Sequence, residues 1–160
     1  MAHAPAARAE DVARAKLLEL RNAVLKDGKT ALDKAMKSAE KSGKVVGARY
    51  ELRDGKLRLG VWVIAATGPV EVVVNPKTGK ADAPVALAGA DADAAKAAEA
   101  AMAKATTTLA DALKKDKPAK AKAMTVTVEL KDARPYVTLV YALPGPTDGA
   151  WSQSSGVYID

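Results

Sequence analysis

At 160 residues and 16.6 kDa the chain has room for one ordinary domain or for two small units sharing a core. With no cysteine it forms neither disulfides nor thiolate metal sites, and its single histidine, His3, excludes histidine-built metal centres and the usual histidine-assisted nucleophiles. A net charge of +6 admits anionic partners, but Lys and Arg are interleaved with Asp and Glu, so most of that charge reads as solvated surface.

In chain order, residues 1–9 show no periodic apolar pattern and are expected to form a disordered tail. Within it, Ala2-His3-Ala4 has the small-x-small pattern left by signal-peptidase processing. That pattern points to an exported, periplasmic or extracellular protein. No run approaches the roughly 18 apolar residues needed to cross a bilayer. From Glu10 to about Lys26, Ala13, Leu17, Leu20 and Val24 fall at helical spacing, and Asp27-Gly28 is the stop. A second helix follows, with Thr30 as its expected cap and Leu32, Ala35, Met36 and Ala39 as its apolar stripe.

Lys44 to Lys80 reads as a three-stranded antiparallel meander. Val46, Ala48, Tyr50 and Leu52 alternate with Arg49 and Glu51; after an Asp54-Gly55 turn, Leu57, Leu59, Val61 and Val63 alternate with Arg58 and Trp62. Val70–Val74 supplies the third strand, and Asn75-Pro76 forces the chain out of the ladder. Residues 81–90 form a connection. A long helical segment is expected from Asp91 or Asp93 to about Asp116, with Thr106-Thr107-Thr108 marking a kink or break. A second sheet then repeats the plan: Met124 to Leu130, a turn at Lys131–Pro135, Tyr136 to Leu143, and a last strand from Trp151 to Ile159, bulged at Gly156.

The two halves also match residue by residue. Thr30, Leu32, Ala35, Met36 and Lys37 are followed 77 positions later by Thr107, Leu109, Ala112, Leu113 and Lys114. Glu51, Leu52 and Asp54 are followed 78 positions later by Glu129, Leu130 and Asp132. The expected fold class is therefore α+β: two tandem helix-plus-three-stranded antiparallel sheet units, residues 10–80 and 91–160, the first preceded by an extra N-terminal helix.

These residues carry a resemblance. The helix from Thr30 to Glu40, then Gly43-Lys44-Val45-Val46 to Ala48, then a charged hairpin, then Val70-Glu71-Val72 running into Asn75-Pro76-Lys77-Thr78-Gly79-Lys80, resembles the PepSY domain. The family usually has Asp where Asn75 stands, and Asn makes the same side-chain-to-backbone turn bond. The second half lacks the Thr-Gly turn and resembles the family by pattern and repeat alone. Such domains occur in propeptides of thermolysin-type metallopeptidases, where they are associated with inhibition or chaperoning, and in small secreted or periplasmic proteins. The resemblance implies no catalytic residue and no cofactor.

The remaining residues supply no catalytic constellation either. Asp91-x-Asp93 falls short of a calcium loop, and Lys77-Thr78-Gly79-Lys80 lacks the first glycine and the following helix of a phosphate loop. The expected function is non-catalytic binding of a protein or peptide, a peptidase among the candidates. Binding residues are sought on the mixed sheet faces: Trp62, Arg49 and Arg58 on the first, and Tyr136 or Tyr141 on the second. If the halves pack through those faces, Trp62 is core and the free sheet edges become the recognition surface. Otherwise Trp62 is exposed. The alternative is a basic module binding nucleic acid or an anionic envelope surface through Lys114, Lys115, Lys117, Lys120 and Lys122, although no aromatics are interleaved for stacking.

Overall fold

The computed structural model describes residues 5–160, so His3 and the processing pattern around it lie outside the described residues. The first helix, α1 (Pro5–Asp27), starts five residues earlier than the apolar spacing indicated, so 5–9 belong to a helix rather than a tail. It is followed by α2 (Leu32–Ala39), a short 3-10 turn (Glu40–Ser42), β1 (Lys44–Arg53), β2 (Lys56–Ala65), β3 (Gly68–Val74), β4 (Val85–Ala86), α3 (Gly89–Met102), α4 (Leu109–Asp116), β5 (Lys122–Lys131), β6 (Arg134–Ala142) and β7 (Ser152–Tyr158). No described helix is long and apolar enough to cross a membrane.

The strands form one antiparallel sheet of seven, in the order β4-β3-β2-β1-β5-β6-β7. This corrects the expectation of two separate sheets: the meanders join edge to edge, through the pairs Gly47↔Thr127, Ala48↔Val126 and Arg49↔Thr125. Backbone pairing of this kind leaves no mark on side-chain alternation, so the sequence pattern is the same whether the edges are free or joined.

The hairpins β1–β2 and β5–β6 repeat each other in register as well as in sequence. Glu51 lies opposite Arg58, and 78 positions on Glu129 lies opposite Tyr136. Both ladders slip by one residue at the same place, between Val45 and Gly47 in β1 and between Ala123 and Thr125 in β5. Both tight turns have two residues at positive φ, Asp54 (53°) and Gly55 (74°) in one, Asp132 (52°) and Ala133 (60°) in the other, as a two-residue hairpin turn matched to strand twist requires.

The register puts Ala48, Tyr50, Leu59, Val61, Val63, Val70, Val72, Val74, Val126, Val128, Val137, Leu139 and Tyr141 on one face, and all are buried. α2 adds Leu32, Ala35, Met36 and Ala39 to this core, and α4 adds Leu109, Ala112 and Leu113. Two tyrosines bind those helices to the sheet. The Tyr50 hydroxyl donates to the Thr30 carbonyl, and the Tyr141 hydroxyl donates to Asp116 Oδ2 at 2.8 Å. α1 and α3 each touch strands of both meanders.

Two local expectations need correction, at Thr30 and at Gly156. Thr30 does not cap α2: the cap residue is Ala31, which offers no side-chain bond, while the Thr30 hydroxyl donates to the Asn75 carbonyl at 3.1 Å and ties the helix start to the end of β3. The break expected at Thr106-Thr107-Thr108 does form: α3 ends at Met102, and Thr108 Oγ1 accepts from Asp111 N at 3.1 Å to start α4. Gly156 is not a bulge but pairs in unbroken register with Thr138. A Cβ there would run into the Tyr136 hydroxyl, so the glycine makes room for that ring. The Asn75 turn forms as expected, Asn75 Oδ1 accepting from Lys77 N at 2.9 Å and Thr78 N at 3.0 Å.

Candidate functional site

The face opposite the core is polar and only partly covered. In the first meander it carries Arg49, Glu51, Arg58, Trp62 and Glu71, brought side by side because Glu51 faces Arg58 across β1–β2 and Trp62 faces Glu71 across β2–β3. Arg58 donates to Glu51 Oε1 at 2.6 Å and also pairs with Glu71. Glu51 further takes Arg53 at 3.0 Å and Arg49 at 3.7 Å. Trp62 Nε1 donates to Glu71 Oε2 at 3.3 Å, and the Arg49 guanidinium lies 5.5 Å from the centre of the Trp62 ring.

The charges reinforce one another. Burial by itself would push the Glu71 carboxyl up, but the Arg58 hydrogen bond and charge, helped by the Trp62 N–H and by Arg49, outweigh it and hold the carboxyl below the usual value. Arg58 is correspondingly raised, chiefly by its hydrogen bond to Glu71. The result is a Trp62 indole whose polar edge is satisfied by Glu71 and one of whose faces is taken by the Arg49 guanidinium.

Two cavities flank the short β1–β5 ladder, because only three residue pairs hold those strands together and the strands part on either side. One, of about 340 Å³, is lined by Trp62, Arg49, Gly47, Gly60, Thr127 and Glu129, with Ala94, Ala97 and Ala98 of α3. A Cβ added at Gly47 would meet only the Val126 carbonyl, 3.3 Å away, so nothing else from the protein fills that space. The other cavity, of about 540 Å³, gathers Lys29, Lys114, Lys117, Lys120 and Lys122. Lys115, the remaining lysine of the basic run, does not line it.

Of the residues singled out from sequence, Arg49, Arg58 and Trp62 form one cluster, and Arg49 and Trp62 line the smaller cavity. Tyr136 shares their face in the second meander, in an edge-to-face pair with Tyr158 at 5.0 Å and with Lys131 Nζ 4.5 Å from its ring centre. Tyr141 does not join them. It is five residues from Tyr136, an odd number, so the strand turns it into the core, where burial first and the Asp116 carboxylate second push its hydroxyl pKa up. The residue missed was Glu71. Its place in the Val70–Val74 alternation was visible, but its role needed the β2–β3 register. The alanines of α3 were missed as well, since a helix that reaches the smaller cavity is not legible from its own periodicity. Among the described residues no group of three His, Cys, Asp or Glu side chains is placed to hold a metal. No protein-family model, curated protein or solved structure matches this chain.

Proposed function

We propose that the chain is a non-catalytic binding protein of PepSY type, two helix-plus-sheet units in tandem, exported to the periplasm or beyond, that takes a peptide or a segment of a partner protein at Trp62. The tandem reading rests on the 77- and 78-position matches together with the shared turn, bulge and hairpin register. Export and a peptidase partner rest on the resemblance and on Ala2-His3-Ala4. The observation that carries the binding reading is the cavity of about 340 Å³ beside Trp62, within the size of ligand sites and bordered by an aromatic, an arginine and a carboxylate. An apolar side chain would stack on the indole while a flanking backbone or charge met Arg49 and Glu129.

Ala97 is exposed and borders the cavity, so Ala97→Trp fills it from the helix side with little effect on the core. Protein immobilised with and without this change, exposed to a cell-envelope extract, should capture a partner only as wild type, and capture should persist at high salt. Equal capture by both proteins, or loss of capture on adding salt, would count against the reading.

A further inference from the structure

We infer that the larger cavity beside the β1–β5 ladder is a second binding site, for a small anion bearing two or more phosphate or carboxylate groups. Its lysines come from separate stretches of chain: Lys29 from the turn between α1 and α2, Lys114 and Lys117 from α4 and its end, Lys120 from the turn before β5 and Lys122 from the first residue of β5. They converge only because the two meanders join. A single carboxylate, Asp33, lies among the lining residues, so five cations face one anion on a chain of net charge +6.

The ion pairs among the described residues all lie outside this cavity. Every ion pair among the described residues uses an arginine, and none uses a lysine. Lys122 has a structural task, donating to the Leu25 and Gly28 carbonyls at 3.4 and 3.2 Å, where α1 ends. Lys29, Lys114 and Lys117 have none in view and are exposed at the mouth. Lys120 is held at φ 63°, a left-handed backbone that glycine would adopt without strain, yet a long cation stands there. Like charges gathered around one cavity repel one another, and an anion seated between them relieves that repulsion. At about 540 Å³ the space suits a small multivalent ligand.

The test is calorimetric titration of the full chain with inorganic pyrophosphate and, separately, with citrate, at low and raised salt. One saturable site is expected for at least one probe, weakening with salt; uptake of pyrophosphate alone assigns phosphate chemistry, and of citrate alone carboxylate chemistry. Combined Lys114→Gln, Lys117→Gln and Lys120→Gln should weaken binding about tenfold or more. Combined Lys37→Gln, Lys56→Gln and Lys96→Gln, which removes the same charge from exposed positions elsewhere, should leave it within about twofold. Lys120→Gly should raise the unfolding midpoint and still weaken binding. Ala97→Trp, which closes the Trp62 cavity, should have no effect, so this site and the peptide site succeed or fail independently. No saturable uptake of either probe, equal weakening by the two triple variants, or retention only on anionic lipid vesicles would overturn the assignment.

Discussion

Trp62 is neither core nor free surface. Its ring is half-buried, its N–H is held by Glu71, and a guanidinium lies over it. Trp62→Ala should therefore cost about 1–2 kcal/mol, less than the 3–5 kcal/mol typical of a fully buried tryptophan, as read from urea unfolding. Glu71 contributes to the behaviour in acid. Because its folded pKa lies below the usual 4.5, its contribution is present above that value and is lost as pH falls through the lowered one. Wild type should lose stability steeply on acidification, whereas Glu71→Gln should be weaker at neutral pH and show a shallower acid limb. Identical acid limbs would remove Glu71 from the account. Alternation alone placed Arg49, Arg58 and Trp62 on one face, since period two is a local property. It could not name Glu71 as their hub, because that role depends on which residue of β3 lies opposite Trp62.

The hairpins and helices show where the two halves match and where they differ. The positions of Gly55 and Ala133 correspond, both at positive φ, but alanine carries a Cβ into a region that glycine occupies freely. Ala133→Gly should therefore stabilise the protein by about 1 kcal/mol in denaturant unfolding, and no gain would mean that the turn relaxes around the methyl group. Ala31 and Thr108 correspond likewise, and only Thr108 supplies a capping side chain. The strands, the α4 break and the Asn75 turn were legible because each is written in adjacent residues. β4 was not, since Val85 and Ala86 alone make no pattern and pair only because β3 presents an edge.

For the whole molecule, the consequential step is the joining of two meanders through three residue pairs. Ala48 pairs with Val126, the residue 78 positions on, so the hairpins face each other about that pair. One arrangement thus makes a single core on one side of the sheet, leaves an open face on the other, and opens a cavity at each end of the short ladder. Nothing in either half signals this, because the contact is between backbones. Binding at Trp62 follows from the open face and its cavity. It can be mapped by recording amide and indole NMR shifts while titrating a peptide selected from a random display library on the wild-type protein. Shifts should centre on Gly47, Gly60, Ala94, Ala97, Thr127 and the Trp62 indole N–H, and vanish in Ala97→Trp. Shifts confined to the β7 edge, or persisting unchanged in Ala97→Trp, would contradict binding at that cavity.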